Sequence, residues 1–266
     1  MSTVLKRAYE YLATYALLAI LVALILVWTA LALVLLGPLP RTRRRTAARY
    51  AMMAGFRLFA RALAAAGAYE LDLTAIDALR GGPPLILAPN HPTSIDAILF
   101  LSRHPDLACI LKPQLMRNVF LGTGARLAGF IRSDPPRRMI RESVAELHRG
   151  GLVLLFPEGT RTTRAPLNRL TGSAGIIARH ARVPIQVVII ETDSPYLGKG
   201  GSLFKVPHLP IRYRLRLGRR LEPAMDATAG TLALERELTR ELAAAPQNGW
   251  LGRTDTERRS RQCQTL

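Results

Sequence analysis

Residues 12–36 carry no charged side chain: LATYALLAILVALILVWTALALVLL. About 20 apolar residues of helix suffice to cross a bilayer core, so this run is long enough to be a membrane segment. A cleaved signal peptide would have a shorter apolar region, about 7 to 15 residues, and small residues at a cleavage site. Here Gly37, Pro38 and Pro40 follow, and then Arg41, Arg43, Arg44 and Arg45. The run therefore reads as an uncleaved anchor. The arginine cluster behind it outweighs Lys6 and Arg7 ahead of it, which by the positive-inside tendency places the following domain on the cytoplasmic side of the inner membrane. A helix-turn-helix that enters one leaflet without crossing fits the same residues. Residues 49–69 show apolar positions at helical spacing with Arg57 and Arg61 among them. That pattern suits an interfacial amphipathic helix and a core-packing helix equally.

Lys and Arg outnumber Asp and Glu by 37 to 19, a net charge of +18. Such a chain is drawn to polyanions, either nucleic acid or an anionic lipid surface. The apolar run favours membrane lipids as partners, and no nucleic-acid reading module is present. Arg212, Arg214, Arg216, Arg219 and Arg220 cluster near one candidate strand, where they suit anionic headgroups, an acidic carrier protein or a plain exposed strand face. The two cysteines, Cys109 and Cys263, have no metal-ligand spacing and are too few for a disulfide framework, which fits a reducing compartment. His104, His148, His180 and His208 are scattered without a metal-binding pattern, so no metal site is expected.

After Gly81-Gly82-Pro83-Pro84 the chain alternates short apolar runs with longer helix-compatible segments. That rhythm predicts an α/β fold, a mixed sheet flanked by helices behind an N-terminal membrane-anchoring helical segment. Strands are expected at 85–88, 107–111, 152–156, 187–190 and 211–217, and helices at 96–102, 136–149, 173–181 and 232–244. Three regions follow: 1–70 as anchor and interfacial helix, 71–247 as catalytic domain, and 248–266 as a polar basic tail. The glycines of GTGAR, residues 122–126, lack a preceding strand and a third glycine, so they read as a loop rather than a dinucleotide site.

Two strand ends carry chemistry. The first, LAPNHPTSIDAILF at 87–100, delivers Asn90, His91 and Asp96 into a turn. If Thr93 or Ser94 caps the next helix, the Asp96 carboxylate can reach the His91 ring and fix its tautomer, leaving the other nitrogen to take a proton from a hydroxyl or thiol. The alternative is that Asp96 only favours the helix start and His91 only fills a turn. The second, GGLVLLFPEGTRT at 150–162, runs from an apolar strand into Glu158, Gly159, Thr160 and Arg161. Gly159 permits close backbone approach, Arg161 offers a planar fork for phosphate oxygens, and Glu158 is placed to orient Arg161 or a substrate hydroxyl. Ligands of open α/β sheets bind outside the carboxyl ends of strands, so both ends point to one crevice. Backbone N–H groups near Gly159 or after Ser94 are candidate oxyanion donors.

These residues resemble the glycerolipid acyltransferases of the lysophosphatidic acid acyltransferase type. The first block of that family is matched by Asn90, His91, Ser94 and Asp96, its third without a gap by Phe156 to Arg161, and its fourth by Val183-Pro184-Ile185. The resemblance spans roughly residues 80–190. It implies that His91 is a general base oriented by Asp96. It also implies that Glu158 and Arg161 help hold a phosphate-bearing lysolipid, with Asn90, Ser94, Gly159 and Thr160 as further substrate-binding residues. An acyl thioester of coenzyme A or acyl carrier protein serves as co-substrate, with no cofactor. The second block departs from the family: LAGFIRSDPPRR brings Arg132 directly after Phe130-Ile131. Arg132 is the expected acceptor-phosphate ligand there, with Arg137 and Arg138 as alternatives. That departure and the segment ETDSPYLGKG (191–200) leave a second reading open, a specialised acceptor such as a lyso-amino-acid or polyene-pigment lipid. The basic surface leaves a third, a non-catalytic lipid- or carrier-binding subunit.

Overall fold

The computed structural model describes residues 3–244. The tail at 248–266, with Cys263, lies outside them. The long apolar run forms helix α1 (Thr3–Leu31) and continues as one π-helical stretch, Ala32–Leu36. Helix α2 (Arg41–Ala65) follows after the Pro-containing turn. The α/β part then runs β1 (Tyr69–Asp72), α3 (Thr74–Asp77), β2 (Ile86–Pro89), α4 (Asp96–Leu101), β3 (Leu107–Leu111), α5 (Pro113–Arg117), α6 (Val119–Leu127) and β4 (Ile131–Arg132). It is completed by α7 (Pro136–His148), β5 (Leu152–Leu154), α8 (Ser173–Ala181), β6 (Ile185–Thr192), β7 (Ile211–Leu221) and α9 (Ala227–Ala244).

The seven strands form one mixed sheet in the order β1-β7-β6-β2-β5-β3-β4. Every neighbouring pair is parallel except β6 with β7. The central strands are buried along their whole length, as expected where helices cover both faces of a parallel sheet. One core lies under α1, α2 and α4 and includes Leu63, Leu87, Leu99, Phe100, Leu154 and Ile190. The other lies under α7, α8 and α9 and includes Ile86, Val153, Ile177, Val187, Leu234 and Leu238. Alternate residues of β2 thus go to opposite cores, the period of two that a strand imposes. Strand β1 begins at Tyr69 and pairs with β7, so the sheet starts inside the segment expected to be interfacial. Helix α2 packs on the core through Ala48, Phe59, Ala60 and Leu63. Its core-packing reading is the one the structure adopts.

Helix α1 does not stand apart from the domain. Residues 13, 17, 21, 24 and 28, at helical spacing, turn to the core, and Ala13 and Leu17 are buried in it. Polar contacts fix both ends. Tyr9 donates to the Ala66 carbonyl, and buried Glu10 accepts from the Leu209 N–H at 3.2 Å and pairs with Arg7 at 2.8 Å. Some 20 residues further on, about 30 Å along the axis, the Thr29 hydroxyl donates to the Phe120 carbonyl at 2.9 Å. The outer face, with Leu12, Val22, Leu26, Val27, Leu33, Val34 and Leu35, is exposed. This helix is long and apolar enough to cross a membrane.

The GTGAR stretch corrects a sequence expectation: it is not a loop but the body of α6. Asn118 caps that helix, accepting from the N–H groups of Phe120 and Leu121 at 2.9 Å each. Gly122 and Gly124 stand where any side chain would collide with the Met116 carbonyl and the Trp28 indole. The glycines mark close helix packing.

Candidate active site

Strands β2 and β5 are parallel neighbours, so their carboxyl ends open on the same edge of the sheet. Pro89 ends β2, having no N–H to continue the ladder. Asn90 then replaces the missing backbone pairing: its Nδ2 donates to the Ile190 carbonyl at 3.0 Å and its Oδ1 accepts from the Ile190 N–H at 2.7 Å. Asn90 is buried and fully engaged with β6, so it holds the turn rather than facing a ligand.

The turn swings His91 against Asp96. His91 Nδ1 and Asp96 Oδ2 lie 2.7 Å apart. Because a carboxylate only accepts, Nδ1 carries the proton and Nε2 presents its lone pair outward. Nε2 has no partner among the described residues, and the side chain is 18 % exposed. The ring stacks on Phe156 with centroids 3.8 Å apart, which fixes its plane. Asp96 has no exposed surface and all of its acceptor directions are filled. Oδ2 also takes the Thr93 N–H at 3.0 Å, and Oδ1 takes the Thr93 hydroxyl and the Tyr213 phenol, the latter at 2.5 Å. Neither Thr93 nor Ser94 caps α4, contrary to expectation. Ile95 holds that position without a side-chain bond, and Asp96 reaches back to Thr93 instead. Tyr213 is 1 % exposed and sits on β7, two strands from β2. Burial, and then the neighbouring Asp96 charge, push its phenol well above the ordinary range, so it remains a donor. Its position in an alternating strand gave no sign of this contact.

The second strand end is folded around Glu158. Its Oε1 accepts from the His91 N–H at 3.0 Å and the Thr162 hydroxyl at 2.7 Å, and its Oε2 from the Asn168 N–H at 2.9 Å. The carboxylate is buried and turned inward, joining the two strand ends; no bond to Arg161 forms. Gly159 adopts φ +66°, which L side chains rarely do, and its N–H is bonded to the Phe156 carbonyl at 3.0 Å. The Ser94 N–H is likewise bonded, to the Leu197 carbonyl at 3.0 Å, so neither the Gly159 nor the Ser94 N–H itself is free to serve as an oxyanion donor. Thr160 is half-buried and makes no hydrogen bond among the described residues.

Arg161 bridges both blocks and a third segment. Its Nη1 donates to Ser94 Oγ at 2.7 Å and to the carbonyls of Leu197 and Gly198 at 2.8 and 2.9 Å. Its Nε and Nη2 have no partner among the described residues, leaving one edge of the guanidinium for an anion. Lys112, not singled out from the sequence, follows the carboxyl end of β3 beside β5 and is exposed on this same edge. Arg132 is not brought to His91. It lies on β4, three strand spacings or about 14 Å across the sheet from β2, and bonds to Asp134 at 2.7 Å. Arg137 and Arg138 open the following helix, α7, on that same far edge.

A histidine held by a buried carboxylate, beside a cation with a free edge, defines a site for moving a proton next to an anionic substrate. The Acyltransferase family model matches residues 70–191, which contain both strand ends. The crystal structure of the 1-acyl-sn-glycerophosphate (LPA) acyltransferase PlsC from Thermotoga maritima superposes with a TM-score of 0.70 at 19 % identity, covering 90 % of this chain and 96 % of that one. The chain has a PlsC-like fold, and the part of it that holds both strand ends matches the Acyltransferase family model.

Proposed function

We propose that the protein moves an acyl chain from an acyl thioester, of coenzyme A or acyl carrier protein, to the free hydroxyl of 1-acylglycerol-3-phosphate. The observation that carries this reading is the 2.7 Å contact of His91 Nδ1 with Asp96, which leaves Nε2 open on the same edge as Arg161. The acceptor hydroxyl gives its proton to Nε2 as its oxygen attacks the thioester carbonyl, and the thiolate leaves with the proton returned from the imidazolium. Asp96 keeps the ring in the productive tautomer and stabilises the imidazolium. The free edge of Arg161 holds the acceptor phosphate, and Lys112, at the end of the neighbouring strand β3, adds positive charge on the same edge of the sheet. The exposed apolar face of α1 rests in the membrane while its inner face stays on the domain, so the crevice is kept at the lipid surface. Arg41 to Arg45 favour the cytoplasmic side.

The test is thiol release from coenzyme A and carrier-protein donors by the detergent-purified chain with lysophosphatidic acid. Acceptor-dependent release that falls about 10²- to 10⁴-fold in His91→Ala is expected. Undiminished release in that variant sinks the mechanism. Release only with a different lysolipid moves the acceptor to the specialised class, a reading favoured by the contact of Arg161 with Leu197 and Gly198 of the 191–200 segment.

A further inference from the structure

Beyond the crevice, a groove runs along the open edge of the sheet beside β4. It consists of two contiguous hollows of about 190 and 340 Å³, floored by Phe130. Six arginines line it, Arg45, Arg117, Arg126, Arg132, Arg138 and Arg149, against only Glu142 and Glu146. The existing pairs do not neutralise it. Glu146 alone serves Arg45, Arg49 and Arg149, while Arg117 and Arg126 have no carboxylate partner among the described residues. Arg49, 9 % exposed behind the groove wall, keeps one guanidinium nitrogen without a hydrogen bond. By contrast, the arginine stripe on β7 is answered in place: Arg212 by Glu70, Arg214 by Asp72, and Arg216 by Glu191 and Glu241.

Two helices add to the positive field. The first turns of α2 and α7 contain arginines and no acidic residue, although the N-terminal end of a helix disfavours cations. Arg45 of α2 and Arg138 of α7 both line the groove. An anion bound there would relieve each conflict at once.

The surroundings identify the bearer of that anion. The wall formed by α5 and α6 exposes Leu115, Val119, Phe120 and Leu121 next to Arg117. Through the Thr29–Phe120 hydrogen bond and the Trp28–Gly124 contact this wall adjoins the end of α1, whose outer face is apolar. Apolar side chains at acyl depth with arginines beside them match a bilayer surface, where lipid phosphates lie just outside the acyl region. We propose that the groove binds the phosphate of an anionic membrane phospholipid, a site separate from the His91 crevice. It seats the protein preferentially on anionic bilayers.

The inference rests on the membrane association described above, and the experiment separates the two. Full-length protein is co-sedimented with phosphatidylcholine vesicles, with and without phosphatidylglycerol. The proteins compared are wild type, Arg117→Gln/Arg126→Gln, and a charge-matched control, Arg179→Gln/Arg219→Gln. Wild type should bind the anionic vesicles more tightly. The groove variant should lose roughly tenfold or more of that preference, while the control, thermal stability and activity in detergent micelles stay unchanged. Inorganic phosphate in excess over chloride at equal ionic strength should compete weakly, since it lacks the acyl anchor. Strong competition would assign the groove to free phosphate and overturn the lipid proposal. Equal loss in the control would reduce the effect to bulk charge, and an unchanged preference would remove the site; both outcomes overturn it. So does a raised KM for the thioester donor with vesicle binding intact, which would give the groove to the donor. Absence of wild-type binding to either vesicle fails the membrane reading itself. Binding without anionic preference fails only the groove.

Discussion

Glu158 Oε1 accepts the backbone N–H of His91 at 3.0 Å, across 67 residues of sequence. The bond joins the carboxyl ends of β2 and β5 at the point where each leaves the sheet. In the proposed mechanism Glu158 therefore acts through the position of His91. Glu158→Gln replaces an acceptor-only group by one that must also present a donor, setting an N–H against an N–H on one side. A buried polar mismatch of this kind costs about 1–3 kcal/mol. The expected result is a lower melting temperature and a lower kcat with little change in acceptor KM. A raised acceptor KM at unchanged stability would instead give Glu158 a direct contact with the acceptor.

Tyr213 occupies the far side of Asp96, 2.5 Å from Oδ1. Tyr213→Phe keeps the ring in the core and removes one of two donors to that oxygen, the Thr93 hydroxyl remaining. A hydrogen bond to a charged group contributes about 1.5–3 kcal/mol. Asp96 is then less firmly placed against the imidazole. The measurement is kcat beside the melting temperature: kcat should fall by about tenfold or more with acceptor KM little changed. An unchanged kcat with only a lower melting temperature would make Tyr213 a packing residue.

Glu146 is the single carboxylate for Arg45, Arg49 and Arg149, and it is 3 % exposed. Burial, and then the nearby Arg45 charge, lower the Arg49 guanidinium to about 9, a measure of how poorly this position tolerates positive charge. Removing the carboxylate leaves one buried cation, Arg49, uncompensated, which costs roughly 3–5 kcal/mol. Chemical denaturation of Glu146→Ala should show that loss with the unfolding slope unchanged. A variant as stable as wild type would show that the arginines find other partners.

His104 is 4 % exposed, and its Nδ1 accepts the Asp106 N–H at 3.2 Å. Burial holds its pKa below 6.5 despite the opposing pull of Asp106. The unfolded chain therefore binds a proton that the folded chain does not, and stability falls as pH drops through the unfolded value near 6.5. Melting temperature measured across this range should decline toward acid, and His104→Gln should flatten that part of the curve. An identical decline in the variant would assign the acid sensitivity elsewhere.

The expected strand at 107–111 and helix at 173–181 coincide with β3 and α8, and the other expected elements differ at their ends. Apolar runs and helical spacing report burial within a few residues of chain, and those were legible. Strands β1 and β4 were not. They are four and two residues long and lack the continuous apolar run that marked the similarly short β2 and β5, and they exist because β7 and β3 offer edges to pair with. Helix α6 was hidden by its glycines, which disfavour an isolated helix by about 1 kcal/mol each yet are required by the approach of Trp28 and Met116.

By itself the sequence determined the apolar helix, the alternation that makes an α/β sheet, and the two polar turns at strand ends with His91, Asp96 and Arg161 in them. Each of these is a local matter of burial or spacing. The tertiary structure alone decided that Tyr213, 117 residues from Asp96, completes the carboxylate's hydrogen bonds, and that Glu158 and Asn90 spend their polar atoms on the scaffold. It also decided that Arg132 stands across the sheet from His91, and that α1 lies against the domain at both ends. Strand order and helix docking set these relations by bringing distant segments into contact, and no periodicity within one segment encodes which neighbour it will meet.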